Sequence, residues 1–275
     1  MNSFPENLIE QAKQSAEQAA QKAADLKAEA EKAEQIHQLL AALFHFLSKG
    51  WIFHILDLKQ QQASVLKTMV SENHPAMAAF EEIYHLAAEQ ASEFSPVHFP
   101  KTLADACNDA DLPIDKESRH PTYLFDHNFF KLTINESKKT ARLSNYEAKA
   151  LWEMPADAGA IVEGIQREHQ RLFERKFDGA AFLKMLRAQY LALLKQEKKK
   201  DGDSISIRDI TRRLGKNKDK FRTDEFLIDL SQLVKEGPVE IDGRCLELQQ
   251  TKDENRGMLL YGKDGRGYVG FVVFK

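Results

Sequence analysis

Histidine, cysteine and carboxylate side chains carry most protein chemistry, and in this chain of 275 residues they are scattered. His98, Cys107, His120 and His127 fall in one region and are suitable metal-ligand types. Metal sites, however, are built on short paired spacings such as CxxC or HxxxH, and none occurs here, so surface or turn histidines are the expectation. Arg119-His120 and Asp126-His127, near an expected hairpin, could make an acid–base pair, but without a nucleophile or a second partner the signal stops there. The glycines of residues 262–267 precede no helix and their lysine is misplaced for a phosphate loop, so a glycine-bearing hairpin is expected. No catalytic residue, metal or cofactor is assigned.

The stronger signal is charge. Between residues 195 and 222 there are eleven basic against five acidic residues, a local net of +6 in a chain whose formal charge is −3. Arg208, Arg212, Arg213, Lys216, Lys218, Lys220 and Arg222 make up the C-terminal part of this run, and Lys263 and Arg266 add to it in the terminal ribbon. These nine residues are the candidate nucleic-acid contacts, suited to phosphate rather than to base edges. The helix expected after them carries Asp224, Glu225, Asp229 and Glu236 at positions read as outward, and carboxylates there would repel phosphate.

The elements that position this charge follow a recognisable order. An amphipathic run through Phe182, Leu186, Tyr190 and Leu194, capped by Asp178, gives a helix; 204–207 gives a short strand. Ile207, Ile210 and Leu214 give a second helix closed by Gly215, and Phe226, Leu227, Leu230 and Leu233 a third stopped by Gly237-Pro238. Alternating segments, 239–248, 258–261 and 268–274, with turn signals at Asp242-Gly243 and Asp264-Gly265, end the chain as a ribbon. In element order the last third resembles the winged-helix superfamily.

Residues 7–47 contain no Gly or Pro and are rich in Ala, Glu, Lys and Gln, so one long helix is expected. Ile9, Ala12, Ala16, Ala19, Ala23, Leu26, Ala30 and Ala33 alternate spacings of three and four, continued by His37, Leu40, Phe44 and Leu47. Sustained heptads of this kind predict a coiled coil, either folded on the chain itself or left for a protein partner, including a second copy. Leu39, Leu40, Leu43, Phe44, Phe46 and Leu47 are expected to join Trp51, Ile52, Phe53, Ile55, Leu56 and Leu58 around Ser48-Lys49-Gly50, which reads as a bend between helices, and 96–121, with the breakers Pro96 and Pro100, reads as irregular. Strands are expected over 122–125, 129–135 and 140–144, with Phe130, Leu132 and Ile134 alternating against Lys131 and Thr133, then helix after Trp152 and Pro155 through Ile161, Ile165 and Leu172.

The fold class is therefore mainly α with small β elements, an α+β chain. Three regions are expected: 1–95 helical coiled coil or hairpin, 96–177 mixed, and 178–275 like a winged helix. Hydrophobic residues at 43% and charged residues at 29% fit a globular chain, and no apolar run reaches the roughly 20 residues of a membrane span. Two distant cysteines, Cys107 and Cys245, are expected to be reduced, as in a cytoplasmic protein. A long coiled helix joined to a winged helix also looks like accessory subunits of bacterial chromosome-handling or phage-defence ATPase assemblies. The expectation is a non-enzymatic adaptor binding protein through the helix and DNA or another subunit through the terminal module. The alternative is a metal-dependent nuclease or other enzyme whose site is assembled from distant carboxylates and histidines; Asp242 and Glu247 in the ribbon are similar to nuclease carboxylates, although Gln249 stands where such sets usually hold a lysine.

Overall fold

The computed structural model describes residues 5–93, 95, 97–217, 220–262 and 268–275. The chain divides into two compact units, Met1–Ser95 and Pro96–Lys275. The described residues are mainly helical with two small antiparallel sheets. Among the described residues no helix is long and apolar enough to cross a membrane.

The first unit is all helix: α1 (Glu6–Lys49), α2 (Ile52–Gln61), α3 (Ala63–Ser71) and α4 (Met77–Ser92). At the end of α1, the Gly50 N–H donates to the Leu47 carbonyl and the Trp51 N–H to the Phe46 carbonyl, so the expected bend is a closed helix terminus. Only the last part of α1 enters the core, through Ile36, Leu39 and Leu43, which pack with Ile55, Leu58, Leu66, Met69 and Phe80. Leu39 and Leu43 are among the residues expected to join the helices that follow, while the heptad line itself is not the packed face: His37 and Leu47 are exposed, Leu40 is half-buried and Phe44 is 73% exposed. The stripe that faces α2, α3 and α4 lies one position back from the heptad line, a rotation of about 100° around the helix.

The second unit opens with α5 (Phe99–Asp109), where irregular chain was expected. Pro100 sits in its first turn, where the missing N–H has no intrahelical acceptor to lose, so this proline begins a helix instead of breaking one. Strands β1 (Thr122–Phe125), β2 (Phe130–Asn135), β3 (Thr140–Asn145) and β4 (Trp152–Pro155) then form a meander in sequence order. Phe130, Leu132 and Ile134 are buried while Lys131, Thr133 and Asn135 are exposed, the period-two pattern read in the sequence. The Asn135 side chain accepts from the Lys138 N–H and the Ser137 hydroxyl, closing the β2–β3 turn. Helix α6 (Ala158–Phe173) packs on the inner face; a Cβ at Gly164 would sit 2.9 Å from the Trp152 ring, so only glycine admits this approach.

The C-terminal elements are α7 (Gly179–Glu197), β5 (Ile205–Ser206), α8 (Ile207–Asn217), α9 (Thr223–Glu236), β6 (Glu240–Ile241), β7 (Arg244–Thr251) and β8 (Tyr268–Phe274). Asp178 caps α7, its carboxylate accepting from the Ala181 N–H at 3.0 Å. Helix α8 runs through Gly215 rather than ending there. The second sheet has the order β5-β8-β7-β6, with buried β8 central and the Phe274 ring 5.1 Å from that of Tyr190 on α7. Asp242 and Gly243, both at positive φ, make the two-residue β6–β7 turn, matching the twist of the strands they join. Residues 258–261 form no strand, only a bridge from Met258 to Val269, and Asp264-Gly265 lies outside the described residues. The boundary expected at 177/178 falls between α6 and α7, inside this unit.

Candidate docking helix and nucleic-acid interface

Every residue of α1 from Glu6 to Glu31 is exposed. Ile9, Ala12, Ala16, Ala19, Ala23, Leu26, Ala30 and Ala33 lie along one side of it, with Ile9 and Leu26 each 57% exposed. A long Ala-rich helix has high intrinsic propensity, but most helical stability in proteins comes from packing an apolar face, and these residues pack nothing within the described chain.

The basic candidates divide by what they touch. Arg208 donates to the Glu147 carboxylate, one contact at 3.2 Å, and to the Gly257 carbonyl, so it ties α8 to the meander and to the loop after β7. Burial pushes the Glu147 carboxyl up, while the Arg208 hydrogen bond and charge pull the other way. Arg213 donates to Gln189 at 3.0 Å, and Arg222 lies 3.4 to 4.0 Å from Glu168, Asp224 and Glu225. Among the described residues Arg212 pairs with Asp209 alone, on the same helix, and is 65% exposed, while Lys216 and Lys220 face solvent. Lys218, Lys263 and Arg266 lie outside the described residues.

The acidic face assigned to α9 requires correction. Asp224 is buried: its Oδ2 accepts from Arg171 at 2.6 Å and from Asn145 at 3.0 Å. Glu225 accepts from Arg171 at 2.7 Å and Asp229 from Arg175 at 2.5 Å. These three carboxylates point toward α6 and the segment after it, and of the original four only Glu236 is exposed. Phe226, Leu227, Ile228, Leu230 and Leu233 bury the other sides, so α9 has no free face to lay in a DNA groove.

A basic surface that the sequence reading did not single out lies on the outer face of the meander. Lys131, Thr133, Arg142 and Ser144 alternate outward from β2 and β3 and, with Lys149 and Arg208, line a groove of 760 Å³ against the carboxylates Glu147 and Glu254 and against Asn255 and Tyr268. The signal is the strand alternation itself, whose polar half, Lys131 and Thr133, carries this surface.

The chemistry-bearing residues fall elsewhere. His120 is held between the Tyr123 hydroxyl, at 2.9 Å, and Glu136, at 2.5 Å. Burial pushes the Cys107 thiol up to about 11, away from the thiolate a nucleophile needs. Glu247 is paired with Lys275 at 2.5 Å, and Asp242 occupies a turn. Asp126 faces His169 at 3.6 Å rather than its neighbour His127, and burial pushes its carboxyl up. Asp126, His127 and Asn128 are all at positive φ, with the Asn128 N–H donating to Asp115 at 2.7 Å and the Tyr146 hydroxyl to the His127 carbonyl. Among the described residues no group of three or more His, Cys, Asp or Glu is placed to hold a metal ion. Compared with protein-family models, curated proteins and solved structures, the chain finds no match.

Proposed function

We propose that this chain is a non-enzymatic accessory subunit, an adaptor that joins another protein through α1 and contacts nucleic acid through the basic surface of its second unit. The exposed face of α1 carries the reading, because an apolar heptad line without intramolecular cover is a costly thing to leave in water. The helix, strand, two helices and ribbon of α7 to β8 follow winged-helix order, and we read that module as a scaffold presenting Arg212, Lys216 and Lys220 to phosphate. With α9 covered, contact is with the backbone and carries little sequence preference. The architecture keeps its likeness to accessory subunits of bacterial chromosome-handling or phage-defence assemblies.

Ala23→Glu tests the docking half, since it sets a charge in the seam. Assembly, whether with a copurified protein or with itself, should be lost while the second unit stays folded. Unchanged stoichiometry would refute the reading.

A further inference from the structure

We propose that residues 16–33 of α1 pair antiparallel with the same residues of a second copy of this chain. This rests on the docking role given to α1 and names its partner. The side chains flanking a two-helix seam set partner and direction. Beside the seam stand Lys13, Ala20, Lys27 and Glu34 on one side and Ser15, Lys22 and Glu29 on the other. In a parallel pair in register, Lys22 would face Lys27 of the second copy and Glu29 would face its Glu34, and symmetry repeats each repulsion. Turned antiparallel about a point between Ala24 and Asp25, Lys22 faces Glu29 of the second copy and Lys13 faces its Glu34, again twice each. Every flanking charge contact changes from like to opposite.

The seam supports the same choice. In that antiparallel register Ala16 meets Ala33, Ala19 meets Ala30 and Ala23 meets Leu26, so each Leu26 packs on an alanine. Parallel pairing would stack Leu26 on Leu26 between alanine layers and force the backbones apart at one level. The available length also fits, because the pairing stops just before Ile36, where α1 enters its own core. Flanking charges fix direction while the small seam residues keep the association modest.

Sedimentation equilibrium on the full chain, over a range of concentrations at low salt, tests the pairing, with circular dichroism reporting helix content. The wild type should self-associate reversibly. Lys22→Glu should weaken this about tenfold by turning two attractive contacts repulsive, and Lys22→Glu with Glu29→Lys should restore it. In a parallel pair the single change would strengthen association, and that result would overturn the proposal. In a Cys245→Ser background, oxidation of mixed Ala16→Cys and Ala33→Cys chains should give the mixed cross-link; cross-links within either variant alone would contradict it. A wild type that stays monomeric at every concentration also overturns the pairing. If such a monomer still holds a copurified protein that Ala23→Glu releases, the docking reading of α1 survives; if Ala23→Glu changes nothing, both fall.

Discussion

Arg171 on α6 and Asp224 on α9 stand 53 residues apart in sequence, and their side chains meet at 2.6 Å. Asp224 is almost fully buried, and Arg171 also reaches Glu168 and Glu225. One guanidinium therefore bridges three carboxylates that would otherwise repel one another at the α6–α9 contact, with Arg222 3.4 to 4.0 Å from the same three. Removing it leaves a buried charge without its partner. Arg171→Ala is expected to cost about 3–5 kcal/mol in urea unfolding, whereas replacing both Arg171 and Asp224 by Met and Leu should cost much less. Equal losses in the two variants would show that the pair holds nothing together.

Acid should act through the same contact. Burial alone would raise the Asp224 carboxyl, but the Arg171 hydrogen bond and charge, with Arg222 and Asn145, hold it below the usual carboxylate range. A carboxyl with a folded pKa below its unfolded value stabilises the fold above the unfolded pKa, and that stability is lost as pH falls through the folded pKa. Unfolding free energy should therefore decline below about pH 4. Asp224→Asn should flatten that part of the profile, and an unchanged slope would remove Asp224 from the account.

Much of this was legible and the α6–α9 contact was not. The absence of Gly and Pro from 7–47 marked α1, the alternation of Phe130, Leu132 and Ile134 marked β2, and Asp242-Gly243 marked the β6–β7 hairpin. These are local signals. The acidic positions of α9 were assigned to solvent because charge periodicity reports which residues share a face, not that Arg171 and Arg175 wait opposite them. Pro100 read as a breaker because its place in a first turn is fixed by where α5 starts. Strand β4 was read as the approach to a helix: it is four residues long and its burial does not alternate. In α1, Leu39 and Leu43 are legible as core while Ile36 is not, because the heptad line and the leucine stripe overlap around residue 36.

The α6–β4 contact gives a packing test. Gly164→Val would drive a side chain into the Trp152 ring and Met154, and overpacking of this kind should cost about 1–3 kcal/mol. Tryptophan emission should shift with it. Wild-type stability would mean that α6 can move off the sheet freely.

Nucleic-acid contact should follow exposure rather than charge count. Glutamate at Arg212, Lys216 and Lys220 together should weaken duplex binding to all sequences alike and reduce the slope of log affinity against log salt by about two to three. Arg208→Glu should instead lower stability, because that side chain holds Glu147 and the Gly257 carbonyl. A titration showing loss for one sequence only would establish base readout and contradict the placement of α9.

The central claim is that the exposed length of α1 exists to be covered. Hydrogen exchange resolved over residues 6–31 and 36–49 of the full chain tests it directly, since amide protection reports what packs on a helix. Residues 36–49 should be protected in wild type and in Ala23→Glu alike. Residues 6–31 should gain protection in the wild type as it assembles and stay unprotected in Ala23→Glu. Residues 6–31 exchanging equally fast in both proteins under every condition of assembly would contradict the account.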